Sequence, residues 1–156
     1  MGITLRAMCG DEFEGYLEYF IPDYAAEIAS NYDVSLEAAR ARAVRETGED
    51  LAQGVETTGQ VLLCIISGAD LVGYLWYKPD HKARTAFIYD FYILPAHRGQ
   101  RFGKQALIQL ETLLSGEGIM QIGLRVAADN APAQSMYNKG GYRATGINMI
   151  KRIGSD

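Results

Sequence analysis

A chain of 156 residues, 48% apolar and 22% charged with only four prolines, is long enough to close one sizeable core and too short for two. That composition excludes disorder and collagen-like repeats, and the longest unbroken apolar run, residues 61–66, is far below the roughly 20 residues of a membrane-crossing helix. Nineteen acidic against fifteen basic residues leave a net charge of −4, unevenly spread: residues 1–50 hold eleven acids and four arginines, a balance of −7, and the remainder carries +3.

In chain order, alternation over residues 3–8 predicts a first strand, and Gly10 and Asp11 open a helix with Phe13, Leu17, Phe20 and Ile21 on one face. Pro22 is expected to break or kink it. Ser35, with Glu37 in the following turn, caps a second helix running toward Thr47, and residues 48–60 read as a loop. Residues 61–67, a turn at 68–70 and residues 71–78 form a hairpin, and a turn at 78–82 leads into a long strand over 84–94. After Pro95 the period changes from two to 3.6: Phe102, Ala106, Leu107, Leu110, Leu113 and Leu114 make one apolar stripe, ended by Gly116 and Gly118. A strand over 120–127, a short helix over 131–139 closed by Gly140 and Gly141, and one or two strands within 142–153 complete the chain. The order defines an α+β domain with a mostly antiparallel sheet and one parallel crossover between residues 88 and 126. No repeat or linker divides it, so a single domain over 1–156 is expected.

The amino-terminal residues read as a strand and not as an apolar signal segment, which sets a cytoplasmic expectation. Cys9 and Cys64 lie 55 positions apart, and neither they nor His81 and His97 have ligand-like spacing, so no metal site is expected. Cys64, inside an apolar strand, is a small core hydrophobe.

The segment from Ile93 to Lys104 takes a strand through a glycine-bearing basic loop into the strongest helix. Unpaired N–H groups of the first turn, the helix dipole, Arg98, Arg101 and Lys104 suit a phosphate or pyrophosphate, and Gly99 and Gly103 let a bulky group approach the backbone. The nucleotide-hydrolase loop Gly-x-x-x-x-Gly-Lys-Ser/Thr and the dinucleotide fingerprint Gly-x-Gly-x-x-Gly are both absent. A basic loop this short on an acidic chain does not make a nucleic-acid surface.

Arg98, Gly99, Gln100, Arg101, Phe102 and Gly103 resemble the pyrophosphate loop Gln/Arg-x-x-Gly-x-Gly/Ala of the GNAT superfamily of acyl-CoA-dependent N-acyltransferases. Arg101 stands where that family usually has Gly, at a position expected to be helical and so open to arginine. A second pattern, Asn-x-x-Ala-x-x-x-Tyr-x-x-x-Gly-Phe/Tyr, is matched by Asn130, Ala133, Tyr137, Gly141 and Tyr142. The resemblance covers residues 61–142. It implies a GNAT-like mixed, mostly antiparallel sheet of six to seven strands flanked by about four helices. It also implies a splay between the strand over 84–94 and that over 120–127, where the acyl-pantetheine arm would pair with the backbone of Phe91 and Ile93.

By that resemblance the chain moves an acetyl group from acetyl-CoA to a primary amine by direct attack in a ternary complex. Arg98, Gly99, Gln100, Arg101, Phe102, Gly103 and Lys104 would hold the pyrophosphate. Asn130, Ala133 and Tyr137 would complete the cofactor contacts. The N–H of Ile93 would meet the oxyanion, and the Tyr137 hydroxyl would protonate the leaving sulfur. The base is open: Tyr89 stands where many relatives carry Glu, and Asp90 faces the other way unless a bulge intervenes, so a direct base and a water relay ending at Tyr89, Asp90 or Tyr92 both remain. Phe87, Tyr89 and Phe91 with Tyr74 and Trp76 line an acceptor pocket or belong to the core. The acceptor is a small amine or a peptide or protein amine, cationic in preference given the acidic first third, and a homodimer is compatible with the family. The alternative reading is a non-catalytic acyl-CoA-binding sensor or interaction module on the same fold, suggested by Arg101 and the missing strand carboxylate.

Overall fold

The computed structural model describes residues 2–154. In chain order its elements are β1 (Ile3–Ala7), α1 (Phe13–Tyr32), α2 (Leu36–Asp50), β2 (Val61–Ser67), β3 (Asp70–Asp80), β4 (Thr85–Ile93), α3 (Phe102–Gly116), β5 (Gln121–Leu124) and α4 (Ala131–Lys139), with 3-10 turns at 10–12, 54–56 and 95–97. They fall into two compact units, residues up to 16 with 50–125, and 17–49 with those from 126 on.

The first unit is a five-stranded sheet in the order β1-β2-β3-β4-β5, antiparallel throughout except for the parallel β4–β5 pair. The expected crossover is therefore present, as β4–α3–β5, and the α+β assignment holds with four α-helices. The strand number does not: the described residues form five strands and not six to seven. Residues 142–153, expected to close the sheet, have no strand beside them and form none, because apolar alternation becomes a strand only against a hydrogen-bonding neighbour. β5 stops at Leu124 and does not extend to 127, for a reason that lies in β4 and is taken up below.

One face of this sheet is covered by α3. Phe102, Ala106, Leu107, Leu110 and Leu114 are buried along the helix, whereas Leu113, on the flank of the stripe, is exposed. Ile3, Ile65 and Val72 form a core with Phe102 and Ala106, joined by Leu5, Phe91 and Ile93. Gln109 donates from Nε2 to the Ile3 carbonyl at 2.7 Å, tying α3 to the edge strand. Gly73 is obligatory in this packing, since a Cβ there would collide with the Tyr92 carbonyl of the adjoining strand.

On the opposite face Arg6 makes a two-pronged pair with Glu12, each N–H···O distance 2.8 Å, and Glu12 also accepts the Cys9 N–H at 2.8 Å. The arginine, then the backbone N–H, hold the Glu12 carboxyl down at about 2. Buried Cys64 lies 3.7 Å from the same carboxylate. Desolvation first, then that negative charge, push its thiol up to about 11.

In the second unit α1 runs unbroken through Pro22. Its neighbours Phe20, Ala25 and Ile28 are buried, and that packing outweighs the roughly 3 kcal/mol that an interior proline costs a helix. Ala25 and Ile28 pack on Ala39 and Ala43 of α2. Ser35 accepts the Ala38 N–H at 3.1 Å, the cap expected of it. α2 continues past Gly48 to Asp50 because Ala39, Ala43 and Thr47 form one buried stripe, worth more than the ~1 kcal/mol penalty of a helical glycine. Tyr24 donates to Glu46 at 3.2 Å and Arg42 pairs with the same carboxylate at 2.8 Å. Among the described residues no helix is long and apolar enough to cross a membrane.

Because the folded carboxyl of Glu12 titrates below its ordinary 4.5, its contribution to stability is present in full above about pH 5 and is lost as pH falls from there toward 2. In urea titrations the gap between the wild type and Glu12→Gln should be constant from pH 6 to 8 and shrink on acidification. A gap that widens below pH 4 would contradict this assignment.

Candidate active site

The site begins with a register shift. Trp76 pairs with Asp90 and the next residue of β3, Tyr77, pairs with Ile88, so Tyr89 is an extra residue on β4. The bulge bends the strand away, and the β4–β5 ladder ends at Ile88↔Leu124. The remainder of β4 keeps only β3 as a neighbour. Here Leu94 donates its N–H to Val72 of β3. By alternation, Phe91 and Ile93 turn their N–H and C=O groups outward, toward the side β5 no longer covers. This is the splay expected between these strands.

The bulge also settles the facing of the two candidate bases. Tyr89 stacks on Trp76, centroids 4.9 Å apart and planes at 24°, and Asp90 sits opposite the same Trp76. Both therefore lie on one face of the sheet and not on opposite ones. Half-buried Asp90 accepts a 2.8 Å hydrogen bond from the Tyr16 hydroxyl, at the start of α1. Tyr16 is fully buried, edge-on to Tyr74 at 5.0 Å, and Trp76 donates to Gln60 at 2.8 Å. Phe87 and Tyr89 are exposed and meet edge to face at 5.0 Å. Phe91 is separated from this group: its side chain packs under α3.

Beyond β4 the chain turns through 95–97 into the basic loop. Arg98 does not point freely outward: its Nε donates to the Ile93 carbonyl at 2.9 Å and its guanidinium lies over the Tyr92 ring at 5.0 Å. Gly99 has φ +79. Arg101 has φ 65 and ψ 16, so the expectation of a helical conformation is corrected: the position is left-handed. Arginine there carries a strain of about 1–2 kcal/mol that glycine would not. It is the residue that precedes α3, and no side chain caps that helix. Phe102 turns inward to the core, while Gly103 and exposed Lys104 form the first turn, whose amides face out of the helix end. Gln100 is exposed. The loop residues and β4 thus come together in the first unit.

The remaining candidates share one helix of the second unit. Asn130 caps α4 by accepting the Ala133 N–H at 3.3 Å. Gln134 donates to the Ala127 and Ala128 carbonyls at 2.9 Å, fixing the turn before it. Tyr137 is half-buried, its ring edge-on to Tyr142 at 5.5 Å. Tyr16 was not singled out by the sequence: its partner is 74 positions away, and helical periodicity reports a face, not a contact. Cys9, Asp11 and Glu12 place ligand atoms within 4.8 Å of one another, but both Glu12 oxygens are committed to Arg6.

A mixed sheet opened at a bulge, beside a glycine-bearing loop that enters an uncapped helix, defines the N-acyltransferase class that the two motifs indicate. A profile of the Acetyltransferase (GNAT) family matches residues 15–142, and the chain belongs to that family. The uncharacterized N-acetyltransferase YycN of Bacillus subtilis (strain 168) is 33% identical over 98% of this chain and all of its own length. The crystal structure of that putative acetyltransferase superposes with a TM-score of 0.91, covering 98% of this chain and 99% of that one. A second protein of the same strain, the uncharacterized N-acetyltransferase YdgE, is 26% identical over 98% of this chain and 99% of its own. The same fold recurs at 20% identity in the PaiA N-acetyltransferase from Thermoplasma acidophilum, solved in complex with coenzyme A, with a TM-score of 0.70 over 95% and 94% of the two chains.

The left-handed conformation at Arg101 makes a stability prediction. Arg101→Gly removes the αL strain but adds unfolded-state entropy, so chemical denaturation should show a change between zero and a gain of about 1 kcal/mol. Arg101→Val, β-branched, should instead lose stability. Equal losses in both variants would mean that the arginine side chain, and not the backbone, holds the loop.

Proposed function

We propose that the chain is an N-acetyltransferase moving an acetyl group from acetyl-CoA to a primary amine by direct attack in a ternary complex, with residues 1–156 acting as one catalytic domain. The observation that carries this reading is the outward-facing backbone of Phe91 and Ile93 beside the uncapped first turn of α3. The residues present fit a pyrophosphate: main-chain donors of Gly103 and Lys104, the cationic side chains of Arg101 and Lys104, and a Gly99 that lets the group come close. Acetyl-CoA supplies an activated thioester when bound.

The Ile93 N–H donates to the thioester oxygen as negative charge builds there. The Ile93 carbonyl is held by Arg98, which fixes the orientation of the strand end and couples it to the loop. Asp90, oriented by Tyr16, takes the proton of the incoming ammonium directly or through water at Tyr89. Tyr137 protonates the departing sulfur, and Asn130 and Ala133 hold the turn that presents it. A cationic amine suits this arrangement, given the half-buried carboxylate of Asp90, the exposed rings of Phe87 and Tyr89, and the −7 balance of residues 1–50. Two free cysteines fit a cytoplasmic setting.

The substitution of Tyr89 for a carboxylate favours a second reading, an acyl-CoA-binding module without turnover. CoA release across a panel of polyamines, amino acids and peptides, beside calorimetry with acetyl-CoA, separates the two: binding without release for any amine selects the module.

Gly103→Val should weaken acetyl-CoA binding at least about tenfold, by obstructing the backbone approach, with an unchanged circular-dichroism spectrum. Unchanged affinity sinks the loop assignment. Tyr137→Phe keeps the ring and removes the proton donor, so the single-turnover rate should fall roughly tenfold or more while acetyl-CoA affinity holds. A wild-type rate would reduce Tyr137 to a packing residue.

A further inference from the structure

Two peptide groups meet at Ile93, and their polarity works against the oxyanion donor assigned there. In an antiparallel strand a residue turns its N–H and its C=O to the same side, so the Ile93 carbonyl faces outward beside the Ile93 N–H. A thioester oxygen that gains negative charge at that N–H gains it next to the negative end of a carbonyl dipole. A bare strand edge is mixed in sign, and a donor on it is worth less to an anion than the same donor alone.

Here the carbonyl is covered. On the inner side Leu94 donates its N–H to Val72 at 2.8 Å. Pro95 then opens the 3-10 turn at 95–97, in which the His97 N–H bonds the Leu94 carbonyl at 2.9 Å and the Arg98 N–H bonds the Pro95 carbonyl at 3.4 Å. The turn returns Arg98 over the strand end it has just left. Its Nε reaches the Ile93 carbonyl at 2.9 Å, and its guanidinium lies over the Tyr92 ring, 5.0 Å from the centroid. The Ile93–Leu94 peptide is thereby pinned at both ends, its N–H by Val72 and its C=O by Arg98. One planar group serves the carbonyl and the ring together, which draws it to the strand and away from the helix end. Arg101, Lys104 and the first-turn amides of the uncapped α3 are left for the pyrophosphate.

We propose that Arg98 is a positioning residue for the oxyanion and not a pyrophosphate ligand: by capping the Ile93 carbonyl with a positive charge, it turns a strand edge of mixed sign into a site that favours a negatively charged oxygen. The inference rests on the reading of Ile93 as the thioester's donor, and it replaces the role that the loop motif implies for Arg98. Arg98 does not touch the thioester. It acts through the carbonyl it covers, and its field adds to that of the single N–H.

Infrared difference spectra of acetyl-CoA isotopically labelled at the thioester carbonyl read this polarisation without turnover. In the wild type the bound carbonyl band should lie below its position in water, and in Arg98→Gln it should return most of the way. Arg98→Lys, which keeps a charge but has no planar fork to lie on Tyr92, should fall between. Hydroxylamine probes the chemistry without an acceptor pocket: it forms the C–N bond of acetohydroxamic acid while the sulfur leaves as CoA thiol with the proton that nitrogen releases. Its single-turnover cleavage of bound acetyl-CoA should slow roughly tenfold in Arg98→Gln. Acetyl-CoA affinity by calorimetry should change by less than about twofold, with an unchanged salt dependence.

An affinity loss of about tenfold with a shallower salt dependence makes Arg98 a phosphate ligand and overturns the proposal, whatever the band does. A band that stays in place in Arg98→Gln overturns it as well. Failure of the underlying reading looks different. A wild-type band at its aqueous position removes Ile93 as the donor and Arg98's role with it. A band that is shifted in the wild type and restored in Arg98→Gln, in a protein that acetylates no amine, upholds that role and rejects only the transferase.

Discussion

One extra residue in β4 governs the first unit. Without the bulge at Tyr89, β5 would run alongside β4 to its end and every backbone group of Phe91 and Ile93 would be spent on the ladder. With it, the sheet opens over one end of β4 only, while the other end keeps the parallel pairing that anchors α3 and its crossover. The same insertion brings Asp90 onto the face that Tyr89 shares with Phe87, where Tyr16 meets it, so the opening and the Tyr16–Asp90–Tyr89 grouping arise from a single backbone irregularity. Bulges trade ladder hydrogen bonds for the re-aiming of side chains, and here both halves of the trade are visible.

The loop that follows depends on the strand end as much as on the helix. Arg98 bonds the last β4 carbonyl and stacks on Tyr92, and Arg101 takes up a left-handed conformation so that α3 can start at Phe102. Phe102 then enters the same core as Phe91 and Ile93. Strand, loop and helix are therefore coupled through one apolar cluster, and the backbone at the helix end takes its geometry from packing between α3 and the sheet.

The regular part of this fold was legible from periodicity. The α3 stripe, the hairpin, the bounds of α4 and the parallel crossover follow from residues acting within a few positions of one another, and Asn130 and Ser35 cap as their side chains predict. The failures share a cause. Register at Tyr89 depends on β3, 13 positions from its partner Trp76; the Asp90 contact depends on Tyr16; the unbroken α1 depends on what buries Phe20 and Ile28; and the missing strands after residue 141 depend on a neighbour that local alternation cannot supply. Arg101 is a different case. The family pattern itself, with Gly at that position, held the clue to a positive φ, and a helical conformation was the wrong inference from it.

Gly73 gains its meaning from this layout. It lies on β3, one strand away from the opening, and carries no side chain of its own to offer. Yet its missing side chain is what allows the Tyr92 carbonyl to come so close, and that carbonyl belongs to the very peptide unit whose Ile93 N–H is the proposed oxyanion donor. Any side chain at position 73, even a methyl group, must push the two strands apart at that peptide. The end of β4 is thus tethered to a residue that carries no functional group, and position 73 tolerates only hydrogen for a reason set by the spacing of two strands and not by any reacting side chain.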